Sequence, residues 1–575
     1  MQHKRLQGPE RWIFDILAMA LVLFYSYSAV FQPAPTQYHR GVYIIITYVL
    51  VLLLYRTPTI WGRIFDYVLI GAAVVSVGYW ILNFEAINYR AGLETDLDKA
   101  IAMVGVLIGI EIARRVVGSV FVIIGAIMLV YGVYGDYAPD LISHAGDSFP
   151  ELCTSLFYKS DGVFGIMANV LATYIVLFVI FGAFLEKSGA QKFFIDFPLA
   201  AVGHRIGGPA KVSVIASGLF GSISGSAIAN TVSTGAFTIP MMKRAGFKPH
   251  VAGGIEPAAS IGGMFMPPIM GAGGFIMAEL TGVPYSQIML VAVFPALMYF
   301  FSVFVMVHYE AKRLNIIGEK SDKSAWDIVK TEWFYVLPLV VITVLMLMGY
   351  SPGYSAIWGI VTCIVVSWFR KSTRIDVKGF IDASRAGAES SLKIGATVGV
   401  IGIIIGVLTY SGLVLTFADI VIELADGKLF LTILFIALAS LVLGMGVPVT
   451  AAYLITAVVA VPALTHLGVN VIAAHMIVYW LSQDSNITPP VCIAAFAGAT
   501  IAEANMWKTA ISAFKFAKFL YLGPFLFGYV PGFSLNGSAQ DIIVAFVLIL
   551  IGTWFYSWLL SGIWLKRFKK ETKAA

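Results

Sequence analysis

Charged residues are scarce in this chain. Only 12% of its 575 residues are Asp, Glu, Lys or Arg, about half the share of a soluble globule, and the mean hydropathy is +0.87. That excludes an ordinary soluble domain. The formal net charge of +6 is dispersed among short loops with no aromatic-interleaved basic patch, which excludes nucleic acid as a partner. Cysteine is nearly absent. Cys153, Cys363 and Cys492 share no metal-ligand spacing and read as small apolar residues, neither a disulfide framework nor a zinc site. There is no Walker-type phosphate loop, no Cys-x-x-Cys-His and no bis-His pair at matching depth on adjacent helices. The chain is therefore read as no enzyme and as needing no cofactor, and any uphill work must draw on an ion gradient. No small-residue cleavage site follows the first apolar run, which starts after the basic residues His3, Lys4, Arg5 and Arg11, so no cleavable signal peptide is expected.

What the chain has is apolar sequence. Hydrophobic runs read as candidate membrane spans lie near 13–32, 41–55, 64–82, 100–113, 116–134 and 160–186. More lie near 251–281, 288–308, 333–349, 354–369, 394–415, 471–503, 516–533 and 541–565. Two further stretches, 208–243 and 429–466, are each too long for one span and carry a Gly-rich break at mid-length. The predicted fold is an all-α, polytopic membrane protein bathed in lipid.

The stretch that organises it is Gly221-Ser-Ile-Ser-Gly-Ser226, with Met266-Pro267-Pro268 some forty residues on, because the pattern occurs twice. The second Pro-Pro pair, Pro489-Pro490, lies 222 residues after the first. At that offset Pro240 falls on Pro462, Gly246 on Gly468, Ala252 on Ala474, Ser260 on Ser482, and Ser222 on Gly444, which opens the break Gly444-Met-Gly-Val-Pro448. Ser188-Gly189 recurs as Ser411-Gly412 at offset 223. One or two such matches are chance; the set in one register is an internal repeat. Its halves span about 160–310 and 380–533. The four runs of 1–115 have no counterpart in the repeat and form a small bundle ahead of it, the unit 116–575 following Arg114-Arg115.

Charge orients the spans. With a cytoplasmic N-terminus, 33 of the 38 basic residues fall inside and only Arg40, Arg90, Lys99, Lys159 and Lys428 outside, as the positive-inside rule asks. The tail Lys566–Lys573 then also falls inside. Stretch 208–243 has basic residues at both ends, so it enters the membrane, turns at Gly221–Ser226 and returns as a re-entrant hairpin. The ends of 429–466 both count as outside, so the second hairpin enters from the opposite face. Halves of opposite orientation are the inverted repeat of secondary transporters.

Irregular backbone at membrane depth persists only where protein or a cavity satisfies it. Each Pro-Pro pair removes two amide donors and breaks its helix, and half-helix ends then offer carbonyls to cations and amides to anions. The side chains nearby are hard oxygen and amide groups suited to the same ligands. They are Ser222, Ser224, Ser226, Asn230, Thr231, Ser233 and Thr234 at the first tip, Thr450 at the second, and Ser482-Gln-Asp-Ser-Asn-Ile-Thr488 before the second Pro-Pro. Small residues for close helix approach are the alternative for any single Ser. Asp484 is an acid in the middle of an apolar run; it is read as part of a cation site or a proton carrier, or else as a cap on the second half-helix. Glu256 and Glu279 are expected to face the interface. Asp419, Glu423 and Asp426 are expected on the wet face of an interfacial helix.

At this point the sequence resembles the membrane component of tripartite ATP-independent periplasmic (TRAP) transporters. The resemblance is carried by Gly221-Ser-Ile-Ser-Gly-Ser-Ala-Ile-Ala-Asn-Thr231, Ile239-Pro-Met-Met-Lys-Arg-Ala-Gly246, Met266-Pro-Pro-Ile269, Gly444-Met-Gly446 and Ile487-Thr-Pro-Pro-Val491. The run 1–115 resembles the family's small subunit fused ahead of the large one, an arrangement similar to the TAXI-type branch. The resemblance implies a Na+-coupled importer of small organic acids, a C4 or C5 dicarboxylate or an acidic amino acid, working by an elevator motion. It implies a periplasmic TAXI-type binding protein as partner, and a bacterial inner-membrane location with both termini cytoplasmic. It places ions at Ser222, Gly225, Gly263 and Met266 in the first half and at Gly444, Gly446, Asp484 and Thr488 in the second. Substrate contacts would be Ser224, Ser226, Asn230, Val449, Thr450, Ser485 and Asn486. The second break is richer in polar groups than the family's usual pattern, which leaves proton coupling as the alternative ion. A Na+/dicarboxylate symporter needing no binding protein is the rival carrier. A channel or scaffold would need neither two occluding hairpins nor polar groups at both breaks.

Overall fold

In the computed structural model, which describes residues 6, 8–318 and 320–564, the described chain is built of helices joined by short turns. The basic residues His3 to Arg5 and Lys566 to Lys573, on which the orientation partly leaned, lie outside the described residues. Among the described residues, ten helical segments are long and apolar enough to cross a membrane. Their burial separates lipid-facing spans from core spans. In an 18-residue apolar stretch of Ala539–Ser561 and of Ile60–Leu82 only 22% and 28% is buried, whereas in that of Val377–Tyr410 83% is. An apolar surface of that extent has no aqueous explanation and is the lipid boundary of a multi-pass membrane protein.

The chain divides into two compact units. The first comprises Met1–Lys187, Val344–Gly427 and Gly446–Ala463; the second comprises Ser188–Thr343, Lys428–Met445 and Leu464–Ala575.

The segment 1–115 falls in the first unit, where its helices pack on the stretch that opens the second half of the repeat. Gly109 and Gly399 meet backbone to backbone: a methyl on Gly399 would lie 2.6 Å from the Gly109 Cα. Arg385, on Val377–Gly395, forks onto Asp15 of the Pro9–Val30 helix at 2.5 and 2.6 Å. At one end of the same unit the Asp96–Val116 helix starts with a capping box on Thr95, and the fully buried Asp98 takes both arms of Arg90 and the Tyr79 hydroxyl. The Arg90 hydrogen bonds hold the Asp98 carboxyl well below the usual carboxylate range.

The second unit holds the first hairpin and both broken helices. Gly208–Ser224 begins with Pro209 in its first turn, where a missing amide costs nothing, and ends on Gly225 in the left-handed conformation, φ 62°. The return arm, Ala227–Arg244, is started by the Ser226 hydroxyl accepting from the Ala229 amide. The first broken helix runs Pro249–Gly262 and resumes at Gly273–Thr281; the second runs Val471–Leu481 and resumes at Ile493–Ala502. Both breaks therefore stand where the Pro-Pro pairs put them, and both Pro-Pro bonds are cis.

The repeat register is visible in the helix limits. Ala227–Arg244 and Val449–His466 correspond end for end at an offset of 222, each with an internal proline, Pro240 and Pro462. Gly189 and Gly412 are both left-handed residues opening a helix, and Gly246 and Gly468 both have positive φ. In the second hairpin the arm Leu429–Gly444 belongs to the second unit and most of Val449–His466 to the first.

Candidate functional site

The second unit brings the first tip onto the first break. Gly221 packs against Gly263 so tightly that a methyl on either would sit within 2.8 Å of the other's Cα. One turn further, Gly225 faces Gly271, with an added methyl 3.5 Å from its Cα. Only glycine allows backbones this close. Ser224, Gly225 and Ser226 form the turn itself and are half-buried, while the Ser222 hydroxyl bonds back to the Leu219 carbonyl at 2.8 Å.

A related contact occurs in the second half. A methyl on Gly444 would lie 2.4 Å from Cβ of Ser485. Ser485 is the residue 222 positions after Gly263, whereas Gly444 is the counterpart of Ser222, so the break residue keeps the repeat register and the tip residue is shifted by one.

Two tyrosines hold the first break open as an ordered loop. Tyr479, from the second broken helix, reaches the Met264 and Met270 carbonyls with its hydroxyl at 2.8 and 2.7 Å; Tyr285 reaches those of Pro268 and Ile269 at 2.8 and 2.6 Å. Phe265 stacks on Trp480 with ring centroids 4.3 Å apart. The sequence reading missed Tyr479. A tyrosine inside Val471–Leu481 was the available signal, since a buried phenol needs a polar partner.

The second break is denser in polar atoms. Ser482, Gln483, Asp484, Ser485 and Asn486 are all buried. The Ser482 hydroxyl donates to the Tyr479 carbonyl, the Asn486 amide reaches the Gln483 carbonyl, and the Thr488 and Tyr521 hydroxyls lie 2.6 Å apart. Two atoms are left over: Asp484 Oδ1 and Gln483 Nε2 have no hydrogen-bond partner among the described residues. Buried polar atoms without partners are rare and costly, and here one seeks a cation or donor and its neighbour seeks an acceptor. The capping role for Asp484 is excluded, because Cys492 occupies the position before Ile493–Ala502 while Asp484 opens a separate short turn over Asp484–Asn486.

The other expected site residues are placed as follows. Met266 stands in the first break, its amide donating to the Gly263 carbonyl at 3.3 Å. Asn230 is fully buried and its amide donates to the Ser217 carbonyl at 2.9 Å and, more weakly, to that of Ser260 at 3.4 Å, so it stitches the hairpin to the first broken helix. Gly446, Val449 and Thr450 fall in the first unit, where Gly446 packs on Val120. Ser222, Ser224, Gly225, Ser226, Asn230, Gly263, Met266, Gly444, Asp484, Ser485, Asn486 and Thr488 fall in the second.

One expectation is corrected. Glu256 does not face the interface: it is fully buried, and its carboxyl lies among the hydroxyls of Ser213, Ser217, Thr234 and Thr238. Its position near a helix end in the sequence was misleading because the hairpin folds over that end. Glu279, by contrast, is exposed. The Asp419 and Glu423 helix, Leu413–Leu424, ends before Asp426, which sits in the following turn at φ 52°. All three cysteines are buried and free.

Residues 104–533 match the family described as "Tripartite ATP-independent periplasmic transporter, DctM component". A putative TRAP transporter large permease protein of Haemophilus influenzae is 26% identical over 55% of this chain and 74% of that protein. The 2,3-diketo-L-gulonate TRAP transporter large permease protein YiaN of Escherichia coli is 28% identical over 29% of this chain, and the match spans 40% of its own length. The C4-dicarboxylate TRAP transporter large permease protein DctM of Pseudomonas aeruginosa is 30% identical over 29% of this chain and 37% of its own. Among solved structures, the Alcanivorax borkumensis YdaH transporter aligns with TM-score 0.49 and 17% identity over 72% of this chain and 98% of that one.

Proposed function

Since the chain belongs to the tripartite ATP-independent periplasmic transporter family, as its DctM component, we propose that it imports a small organic acid against its gradient, with Na+ as the coupling ion. It is a permease component and not an enzyme. The observation that carries the reading is the pair of unpartnered atoms at the second break, Asp484 Oδ1 and Gln483 Nε2. A cation at Asp484, with Thr488 and the Gly444 turn beside it, would satisfy the first; a substrate carboxylate would satisfy the second. In the first half Ser222, Gly225, Gly263 and Met266 are the corresponding ion residues, and Ser224, Ser226, Ser485 and Asn486 supply hydroxyls and an amide for the acid. The names of the relatives, a C4-dicarboxylate and a 2,3-diketo-L-gulonate TRAP transporter large permease protein, support an acid as cargo.

The finer parts of the proposal are these. Uptake proceeds by an elevator motion; a periplasmic binding protein of the TAXI type delivers the acid; and the segment 1–115 does the work of a fused small subunit. The protein sits in a bacterial inner membrane with both termini cytoplasmic.

The test is uptake into proteoliposomes with the cognate binding protein and a panel of organic acids, under a Na+ gradient and a proton gradient imposed separately. Uptake with Na+ alone, lost at least tenfold in Asp484→Asn while the variant inserts normally, is the expected result. Uptake with protons alone moves the coupling role from Na+ to an acid. No uptake under either gradient would overturn the transport reading.

A further inference from the structure

The carboxyl of Glu256 is a second buried acid, remote in role from the breaks. It lies on the Pro249–Gly262 helix, fully buried, inside the arms of the first hairpin. Four hydroxyls converge on it in pairs from the two arms. Ser213 meets Oε2 and Ser217 meets Oε1, each at 2.5 Å, and Thr234 and Thr238 close on Oε1 and Oε2 from the other arm. Ser260, one turn along its own helix, stands 3.4 Å from Oε1.

No cation shares this cage among the described residues. The helices packed on Pro249–Gly262 are both hairpin arms, Tyr285–Leu314, Ile493–Ala502 and Met506–Phe516. Of their charged groups, Lys211 pairs with His308, Lys243 donates to the Ala502 carbonyl, and Lys515 bridges to Glu310, which also takes Arg313. Lys518, just past the last helix, donates to the Ser302 carbonyl. Arg244, Lys312, Lys508, His250 and the Glu503 turn stand at the ends of these elements and make no ion pair or hydrogen bond with Glu256. Tyr299 spends its hydroxyl on the Ala258 carbonyl.

All four hydroxyls stand at hydrogen-bonding distance from the carboxyl. The cage is also satisfied in two proton states. With the acid ionised, the hydroxyls donate to it. With the acid protonated, it donates to Thr234 or Thr238, and that threonine turns its single proton to the backbone carbonyl one turn back: Asn230 O at 2.7 Å for Thr234, Thr234 O at 3.1 Å for Thr238. Only hydroxyl hydrogens rotate.

We propose that Glu256, caged by Ser213, Ser217, Thr234, Thr238 and Ser260, is a reversible proton-binding site inside the hairpin-bearing unit. For its role it rests on the transport reading: a proton held there travels with the hairpin and makes the charge of that unit depend on pH. The site is separate from the cation residues of the tips and is a site for H+, not Na+.

The experiment is pH-difference infrared spectroscopy on the purified full chain in lipid nanodiscs, which needs no substrate. The wild type is expected to show a protonated-carboxyl band that appears as pH falls, is absent from Glu256→Gln, persists in Asp484→Asn, and is unchanged when NaCl replaces KCl. Thr234→Val keeps the carboxyl and removes one hydroxyl, so the band is expected to persist at a shifted frequency; this variant serves if Glu256→Gln does not fold. A band missing from the wild type across the accessible pH range, or retained in full in Glu256→Gln, or abolished by Na+, overturns the proposal. Loss of acid uptake in liposomes with an intact band would instead count against the transport reading alone.

Discussion

Gly221 and Gly263 define how near a hairpin tip can come to a helix break. An alanine at 221 would gain about 1 kcal/mol of helix propensity. Its methyl, however, would lie 2.8 Å from the Gly263 Cα and 2.5 Å from the Asn230 amide nitrogen, and overpacking against backbone costs about 1–3 kcal/mol. The clash wins, because Gly263 is backbone and cannot rotate aside. Gly221→Ala is expected to lower the thermal midpoint in detergent, while Gly71→Ala, with nothing within 4 Å of its added methyl, leaves it unchanged or raises it. Equal midpoints for the two variants would show that tip and break do not touch. At this scale the sequence was only partly legible. The tip serines, the glycines and Asp484 could be picked out because they interrupt apolar runs. Glu256 was misplaced, yet its cage left a trace: Ser213 and Ser217 on one arm and Thr234 and Thr238 on the other are each spaced four apart, one face of a helix apiece. Nothing in the sequence says that both faces meet the same acid, since that depends on how the hairpin closes.

Helix positions were far more legible, because membrane helices are set by run length and by residues that cannot continue a helix. The two Pro-Pro pairs and the Gly221–Ser226 break mark ends that the structure reproduces within a few residues. What escaped was local geometry without a compositional mark. The π-helical turn Leu171–Ile175 sits in an unbroken apolar run, and the run 394–415 joins a helix ending at Gly395 to another beginning at Val398. The direction in which each hairpin enters was read from charge, and labelling tests it directly. Cysteines introduced at Lys243 and Asn470, after the three native cysteines are replaced, are expected to react from opposite faces of the membrane in oriented vesicles. These positions close the first hairpin and open the second broken helix. Both reacting from one face would end the inverted-repeat reading, because the end-for-end match of Ala227–Arg244 with Val449–His466 would then be a direct repeat.

For the whole molecule the question is whether 1–115 is an appendage or a structural part. The contacts within the first unit argue for a part. Gly109 lies against Gly399 at a separation only two glycines permit, Gly395 receives Thr47 and the Tyr43 hydroxyl, and Asp15 takes both arms of Arg385. The close glycine contacts exclude lipid from the seam, and in lipid such packing, with few exposed polar groups to compete, is what holds helices together. The covalent link is slight by comparison: Val117 and Gly118 alone join the two helices, and Gly118, at φ 118°, has nothing within 4 Å of an added methyl. Cutting the chain there removes one peptide bond and none of the packing. Co-expressed as 1–117 and 118–575, the two pieces are therefore expected to co-purify through a tag on either. Arg385→Ala combined with Gly399→Leu should reduce the yield of the pair several-fold, since the first change leaves Asp15 without its fork and the second drives a side chain into the Gly109 backbone. Were the untagged piece to wash away from the unaltered pair, the peptide bond at Gly118 would be the main thing holding the bundle, and its packing on Val377–Tyr410 would count for little.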